Sequence, residues 1–280
     1  MLGCGNFARL NSLTNWAMNE RNFIKSVCRG LRNETFGPSD SSILNFKNTA
    51  VGETCFVLGN GPSLTNINNE ILDCYPTFGT NGIFLKYTPS YYVTISVDFF
   101  KNHIGEIKKL KGSVKFIGDN LYDLHTGCSD EHILNCSWNV YGKIRGISTS
   151  RFNFPVPLRF SNRADRVVYL GGSVLFVCLQ LAYWMGYSRV ILLGVDHGFG
   201  FPRSEAVYGG RRLAASSEDT LHFDKAYSKP GYTPHCDMIA TERSFELALK
   251  AFQKDGREIF NATEGTGLDV IPKAKLQELL

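Results

Sequence analysis

The chain lacks the cysteine spacing of a structural metal site and any apolar run that could span a membrane. Its 280 residues include eight cysteines, but no two of them form a Cys-x-x-Cys pair, which argues against structural zinc. The closest candidate for a membrane span, residues 174–185, is too short and contains Gln180. Since no signal peptide is visible, we expect reduced thiols and a cytoplasmic location, with contact at the inner face of a membrane left open.

Several nucleotide-binding and hydrolase signatures are missing as well. The segment Gly59-Asn60-Gly61 lacks the third glycine of the dinucleotide-binding fingerprint, and no Gly-Lys-Ser/Thr follows it as in a Walker loop. The chain has no Gly-x-Ser-x-Gly elbow and no two-histidine metal signature. These absences disfavour an NAD enzyme, a P-loop ATPase, a serine hydrolase and a zinc hydrolase, and we expect no bound metal.

Neither sign of charge is in large excess. The formal net charge is +4 at pH 7, which suits an anionic ligand but does not require a nucleic-acid partner. We therefore expect no nucleic acid among the partners. The apolar and charged fractions, 43% and 20%, are ordinary for a globular protein, so the chain can form one large α/β domain or two small ones.

The most informative stretch that is present is an apolar run, residues 55–58, followed by a glycine-rich turn. The turn consists of Gly59, Asn60, Gly61, Pro62 and Ser63. The glycines permit positive φ and close approach of a ligand, and the proline is tolerated in the first turn of a helix, which we predict over residues 64–72. A strand, a glycine turn and a helix N-terminus predict a site for a nucleotide or sugar-nucleotide phosphate. An ordinary strand-to-helix connection is the alternative.

Strand and helix patterns alternate along the rest of the chain. Strands are predicted at residues 55–58, 77–80, 91–96, 114–117, 190–193 and 258–261, and helices at residues 99–110, 173–185 and 241–255. This alternation predicts an α/β fold, a Rossmann-like parallel sheet with helices on both faces. We assign no element to residues 121–165.

The predicted organisation is an N-terminal extension followed by one domain. Residues 1–50 form a helical extension and linker, with a helix within 11–32 that packs on the domain, joins a partner chain or touches a membrane. Residues 51–280 form the catalytic domain. Its stretch at about 198–235 is poor in periodicity, which is typical of a lid-like loop.

Polar residues follow the predicted strands at the ends where parallel sheets bind ligands. They are Asn60, Asn81, Asp98 and the pair Asp196-His197. A carboxylate at the Asp196 position can bind a ribose, a sugar hydroxyl or a metal ion, or it can cap the local turn. We therefore expect a ligand to bind at these strand ends.

A second turn and a loop supply further candidates. Gly172 and Ser173 precede an apolar helix and can bind another part of the ligand, although simple N-capping by the serine is an equal alternative. His222 and His235 lie in the predicted lid together with Tyr227. A histidine on such a loop can act as a general base toward a hydroxyl, or it can be an ordinary exposed histidine.

Motifs spread over roughly residues 52–272 resemble a known family. They are Gly-Glu-Thr-Cys-Phe-Val-Leu-Gly-Asn-Gly-Pro-Ser-Leu at 52–64, Thr-Phe-Gly-Thr-Asn at 77–81, Leu-Gln-Leu-Ala-Tyr-Trp-Met-Gly-Tyr at 179–187, Leu-Leu-Gly-Val-Asp-His at 192–197, His-Phe at 222–223 and Asn-Ala-Thr at 261–263. Together they resemble the MptE-like (6-hydroxymethylpterin diphosphokinase-like) domain of bacterial surface-polysaccharide proteins. The resemblance implies transfer of diphosphate from ATP with magnesium as one possible activity, with Asp98 and Asp196 as the metal-binding carboxylates.

The scaffold is also similar to the bacterial CMP-sialic acid-dependent sialyltransferases. The shared features are the turn at 59–63, the asparagine at 81, a loosely matched turn at 171–173 and the run from 186 to 196. This similarity implies that the first turn binds the CMP phosphate and ribose, that both asparagines contact the donor, and that a loop histidine is the base with no metal required. Spacing back from the last helix makes His235 the base. Matching the His-aromatic pair instead aligns His222 with a neighbouring element and leaves Tyr227 near the base position.

The resemblance therefore implies a single-domain, GT-A-like glycosyltransferase that inverts the anomeric carbon. We expect a CMP-activated donor, with a sialic acid-like sugar, and a glycan or lipid-linked hydroxyl acceptor. A diphosphokinase that uses ATP and magnesium is the alternative, and a non-catalytic nucleotide-binding protein of a polysaccharide pathway is a third option. We also expect the chain to form a homo-oligomer.

Overall fold

The structure is a computed structural model. It describes residues 32, 39–119, 121, 130–134, 136–137, 158–198, 203–206, 211–212, 220–227 and 235–280. The predicted N-terminal helix within 11–32 and most of the predicted lid at 198–235 therefore lie outside the described residues.

The described residues contain eleven strands. In chain order they are β1 (Thr54–Leu58), β2 (Thr77–Thr80), β3 (Tyr91–Thr94), β4 (Val114–Gly118), β5 (Glu131–Leu134), β6 (Cys136–Ser137), β7 (Val168–Tyr169), β8 (Arg189–Leu193), β9 (Arg211–Arg212), β10 (His235–Cys236) and β11 (Glu258–Asn261). Seven of them form one parallel sheet in the order β11-β8-β1-β2-β3-β4-β5. β6 pairs with β7 in parallel, and β9 pairs with β10 antiparallel.

Between and around these strands, residues 39–280 contain six helices and three short 3₁₀ segments within the described ranges. The helices are α1 (Ser41–Leu44), α2 (Asn69–Leu72), α3 (Val97–Lys109), α4 (Val174–Met185), α5 (Met238–Lys254) and α6 (Leu276–Leu279), and the 3₁₀ segments are Pro62–Asn66, Asn81–Leu85 and Arg203–Glu205. The six predicted strands and the three longer predicted helices are confirmed, with their ends shifted by a few residues. The Rossmann-like α/β class is therefore confirmed for the described part of the chain.

Helices cover both faces of the sheet because successive residues of a strand point to opposite sides. In β1, Cys55 and Val57 belong to one apolar cluster, which contains the buried faces of α4 and α5. Phe56 and Leu58 belong to a second cluster on the other face, which contains residues of α2, α3 and α6. This two-sided burial explains why the central strands are continuous apolar runs.

One expectation about the elements is wrong, and one strand of the main sheet lies in a segment to which no element was assigned. The helix predicted over residues 64–72 is instead the 3₁₀ segment Pro62–Asn66 and the separate helix α2, because the Asn68 side chain accepts a hydrogen bond from the Glu70 amide and starts a new helix. β5 was not predicted. It is an edge strand that contains Glu131 and His132 and shows no alternating burial pattern.

The order of the strands reverses between β1 and β8. From β1 the chain builds the sheet toward β5, and it then returns to add β8 and β11 on the other side of β1. Beyond the strand ends the two segments stay paired, since the Gly59 amide donates to Leu193 O at 2.8 Å and the Gly61 amide donates to Gly194 O at 2.9 Å. Such a reversal opens a crevice at the carboxyl ends of the strands.

Within the described part of the chain, no helix is both long and apolar enough to cross a membrane. Among the described residues Cys55, Cys74 and Cys178 are free thiols, and Cys55 and Cys178 are buried like small apolar side chains. Burial raises the pKa of both thiols, so neither is disposed to ionise.

Candidate functional site

A cleft of about 250 Å³ lies at the strand reversal, beyond the carboxyl ends of β1, β2 and β8. The structure brings most of the sequence-predicted site residues into its wall. They are Gly59, Asn60, Gly61, Asn81, Gly172, Ser173, Asp196, His222 and Tyr227. Pro62 and Ser63 follow directly in the 3₁₀ segment Pro62–Asn66. The cleft is the candidate functional site because chemically distinct residues from distant parts of the sequence meet there.

The two glycines of the first turn are needed for space and not for positive φ. Gly61 has φ of −71°, and Gly59 is not among the residues with positive φ. A Cβ atom on Gly59 would lie 2.2 Å from Gly194 O, and one on Gly61 would lie 1.9 Å from Asp196 Oδ2. The close approach that the sequence predicted for a ligand is therefore made by the β8 end of the chain itself.

Asp196 caps the turn, as the structural alternative predicted. Its Oδ1 accepts from the Ser63 amide at 3.0 Å, and its Oδ2 accepts from Ser63 Oγ at 2.8 Å. The amide that the strand–turn–helix pattern offered to a ligand anion thus binds an anion of the protein. In this arrangement the Ser63 amide is occupied by the protein's own carboxylate.

The backbone at Asp196 is held by a buried polar group after β11. Val195 donates its amide to Thr263 Oγ1 at 3.0 Å and accepts from Thr266 Oγ1 at 2.6 Å, while the Gly267 amide donates to Asp196 O at 2.8 Å. Asn261 Nδ2 in turn donates to Thr266 Oγ1 at 3.1 Å. The Asn-Ala-Thr motif is therefore explained by the support it gives to the Asp196 loop.

The two strand-end asparagines have different environments. Asn60 Nδ2 donates to both the carbonyl and the hydroxyl of Thr80, each at 3.0 Å, whereas its Oδ1 is buried without a hydrogen-bond partner among the described residues. Asn81 has φ of 44°, and its Oδ1 accepts from Thr94 Oγ1 at 3.0 Å. Because Asn60 lines the cleft, its Oδ1 offers an acceptor to an N–H or O–H group of a ligand.

The second turn is an N-cap that also forms part of the wall. Ser173 Oγ accepts from the Leu175 amide at 3.3 Å and begins α4. Gly172 has φ of +84°, and a Cβ atom there would lie 3.1 Å from Ala240 Cβ on α5. The glycine is therefore required both by its backbone conformation and by the contact between the turn and α5.

Two of the three candidate base residues stack on each other beside the cleft. The rings of His222 and Tyr227 are 3.6 Å apart and nearly parallel, with an angle of 10°. Tyr227 is only 3% exposed, and its ring packs so closely on Gly82 that a Cβ atom there would lie 2.3 Å away. Tyr227 thus provides a fixed surface for the His222 ring. His235 lies in β10, where its backbone pairs with Arg212 of β9. The side chain of His235 lies outside the described part of the structure.

The structure adds a residue pair that sequence reasoning missed. His197 has a left-handed backbone with φ of 53°, and its Nε2 lies 3.3 Å from Oε1 of Glu242 on α5. His197 also lines the cleft, and its side chain is 2% exposed. Its position after the strand-end aspartate was a signal for it, but nothing local in the sequence pairs it with a glutamate 45 residues away.

The carboxylates proposed for magnesium do not converge in the described part of the structure. Asp98 is exposed in the first turn of α3 and does not line the cleft, while Asp196 is bonded to Ser63. No group of three or more His, Cys, Asp or Glu side chains with the geometry for a metal ion occurs among the described residues.

Comparisons with known proteins do not assign a family to this cleft. No model of a known protein family matches the chain, and no curated protein matches it either. The function must therefore be inferred from the residues of the cleft together with the sequence motifs.

Proposed function

We propose that the cleft binds a nucleotide-activated sugar and that the protein is a glycosyltransferase. The observation that carries the proposal is that Asn60, Asn81 and His222 share one cleft at the reversal point of a parallel sheet. Nucleotides bind at this point in many open α/β sheets. The proposed donor is CMP-linked, with a sialic acid-like sugar, and the proposed acceptor is a hydroxyl of a glycan or lipid-linked glycan. The choice of CMP rests on the motif resemblance alone.

The proposed chemistry is a direct displacement with a histidine base. The base removes the proton of the acceptor hydroxyl, whose oxygen forms a bond to the anomeric carbon while the bond from that carbon to the phosphate oxygen breaks. The products are the inverted glycoside and CMP. His222 is the first candidate for the base, because stacking on Tyr227 fixes the orientation of its ring beside the cleft. His235 is the second candidate on the motif resemblance.

The donor is tested by a thermal-shift panel of CMP, CDP, UDP, GDP and ATP, each with and without magnesium. A ligand that binds only the folded state stabilises it by about 2.7 kcal/mol at 100 times its Kd. We expect CMP to raise the melting temperature most. We expect Asn60→Ala to remove the shift, because it deletes the free acceptor in the wall. Asn69→Ala, at an exposed position on α2, is the matched control and should keep the shift.

The alternatives have distinct outcomes in this panel and in assays of donor hydrolysis and transfer. Binding of ATP that is lost in EDTA and restored by magnesium would indicate the diphosphokinase, because the metal neutralises the phosphates in that chemistry. Binding of CMP without donor hydrolysis or transfer would indicate a non-catalytic nucleotide-binding protein. Transfer that continues in EDTA supports the glycosyltransferase.

The base is identified by single substitutions assayed for transfer. A general base contributes about 10²–10⁴-fold in rate. His222→Ala should therefore reduce kcat by about that factor, with little change in donor affinity. His235→Ala is the parallel variant, and loss of turnover in it alone would assign the role to His235. If neither variant loses turnover, a histidine base is wrong.

A further inference from the structure

The described wall of the cleft is poor in positive charge. None of its described residues is a lysine or an arginine. Its two carboxylates, Asp196 and Asp237, are engaged in capping: the first accepts from Ser63, and the second accepts from the Ala240 amide at 2.9 Å. The described wall residues that can become positively charged are His197 and His222. A nucleotide phosphate adds further negative charge, and within the described wall these two histidines are the side chains that can balance it.

His197 has the surroundings that favour an imidazolium. Its Nε2 lies 3.3 Å from Glu242 Oε1, and the two side chains are 2% and 14% exposed. An opposite charge within about 4–6 Å favours the charged form of an ionisable group. Burial on its own disfavours a charged imidazole, and the adjacent Glu242 carboxylate opposes that effect. A charge on this little-exposed ring is weakly screened and acts strongly on groups in the cleft.

We infer that His197, oriented and kept charged by Glu242, is the cationic group that attracts the phosphate of the ligand. The inference rests on the proposed nucleotide site and names the residue that binds its anionic part. His197 is the ligand-binding residue, since it lines the cleft. Glu242 does not line the cleft in the described part and is a positioning residue.

Other charged groups lie near His197 in the described part of the structure. Asp196 precedes it and is bonded to Ser63. Asp269, on the segment after β11, is exposed and paired with Lys273 at 2.7 Å. That hydrogen bond holds the pKa of Asp269 below its ordinary value, and His197 makes only a minor contribution. Asp237 and His222 line the same cleft. Because His222 also titrates, the decisive comparison is between variants of His197 and Glu242.

The test measures binding of the methyl phosphodiester of CMP by calorimetry between pH 5.5 and 8. A diester keeps a single charge over this range, whereas a phosphate monoester titrates near pH 6. We expect the affinity of the wild-type protein to fall as pH rises. His197→Asn should weaken binding about tenfold at pH 6, equivalent to about 1.4 kcal/mol, and should remove most of the pH dependence. Asparagine tolerates the left-handed backbone at this position, so the fold should be kept.

Glu242→Gln and uncharged cytidine complete the experiment. The glutamine variant should move the fall in affinity to lower pH, because it keeps an acceptor but removes the charge. Cytidine should bind equally to all three proteins at every pH. Failure of both ligands to bind the wild-type protein would reject the proposed nucleotide site. Binding of the diester with an unchanged pH profile in His197→Asn would overturn this inference alone, as would a wild-type affinity that is independent of pH.

Discussion

At the scale of single residues, Gly61 and Asp196 depend on each other. Their contact leaves no room for a Cβ atom on Gly61, and the same carboxylate satisfies the amide and the hydroxyl of Ser63. Residues at both ends of this contact were singled out from the sequence, but their pairing was not predictable, because 133 residues separate Asp196 from Ser63. Local patterns predict where a strand ends, whereas they do not predict which distant side chain fills the turn.

Replacing Asp196 by alanine should destabilise the protein by about 1–2 kcal/mol, the usual effect of losing a side-chain cap. Urea denaturation at pH 7 measures the change. Asp196→Asn is the control, since its amide oxygen can still accept from the Ser63 amide and its NH₂ group can donate to the hydroxyl. Equal losses in the two variants would show that the charge, and not the cap, is what matters.

A Gly61→Ala substitution tests the same contact from the other side. The added methyl group must displace the Asp196 carboxylate, so we expect a loss of about 1–3 kcal/mol, typical of overpacking. In the Asp196→Ala background the loss should be smaller, because the carboxylate is absent and Gly194 O, 2.9 Å from the added Cβ atom, is the close contact that remains. A double-mutant cycle measures this coupling, and additive losses would contradict the close contact.

At the scale of elements, α4 is apolar throughout except for one buried glutamine. Gln180 Nε2 donates to Tyr169 O at 2.7 Å and to Phe176 O at 3.0 Å, and its Oε1 accepts from the amides of Ser161 and Tyr169. The side chain therefore fastens the segment before α4 to the helix. Gln180, whose presence in this apolar run is evidence against a membrane span, thus has a structural role.

Gln180→Leu should destabilise the protein by about 3 kcal/mol or more. The substitution keeps the size of the side chain but leaves several buried backbone groups unpaired, each of which costs about 1–3 kcal/mol. Gln253→Leu on the exposed face of α5 is the matched control and should be close to neutral. Chemical denaturation of both variants gives the comparison, and similar small effects would contradict the role of Gln180.

The segment 220–227 docks onto the cleft through few contacts. The Phe223 amide donates to Asn60 O at 2.9 Å, and the Tyr227 ring packs on Gly82 and on Phe99, with 5.1 Å between the two aromatic centroids. The sequence predicted a mobile loop over this region and gave no sign that Tyr227 would be buried. Its burial depends on a glycine far away in the sequence.

Tyr227→Ala should release this segment without unfolding the sheet. Removing a buried aromatic ring typically costs about 3–5 kcal/mol. Here we expect that loss to reduce the free energy with which the segment 220–227 docks onto the domain. Hydrogen exchange should therefore become at least about tenfold faster in residues 220–227, while β1 and β8 remain protected. Tyr227→Phe keeps the ring and should exchange like the wild-type protein. Unchanged exchange in the alanine variant would contradict the docking.

At the scale of the whole molecule, the sequence predicted the α/β class and the strand ends that meet at the cleft. Central strands were recognisable because they are buried on both faces and are continuously apolar. The edge strand β5 was not recognisable, because half-buried polar residues occupy two of its four positions. The opposing pair of His197 and Glu242 could not be predicted, since it depends on how α5 packs on the sheet.

Hydrogen bonds to Asp165 hold residues 39–40 against residues 163–165. The Asp165 carboxylate accepts from Arg163 Nη2 at 2.7 Å and from Ser39 Oγ at 2.6 Å, and the Asp40 amide donates to Asp165 O at 2.7 Å. Burial alone would raise the pKa of Asp165, but the hydrogen bonds from Arg163 and Ser39 outweigh it and hold the pKa below its ordinary value.

This lowered pKa predicts how the stabilisation provided by the Asp165 carboxylate depends on pH. A carboxyl whose pKa is lower in the folded state stabilises it fully above the unfolded value, about 3.9, and loses that effect as pH falls through the folded value. The wild-type protein should therefore be more stable than Asp165→Asn at pH 7, and the difference should shrink at pH 3. Urea denaturation at the two pH values measures it. A difference that grows on acidification would contradict the assignment.

An NMR titration with CMP would show directly whether the cleft at the β1–β8 reversal binds a nucleotide. Backbone amide shifts would be followed in isotope-labelled protein. We predict saturable shift changes concentrated at residues 59–61, 80–81, 172–173, 196–197 and 221–227, which come from five separate parts of the fold. Shift changes that cluster elsewhere, or no change with CMP or with any nucleotide of the thermal-shift panel, would contradict the account.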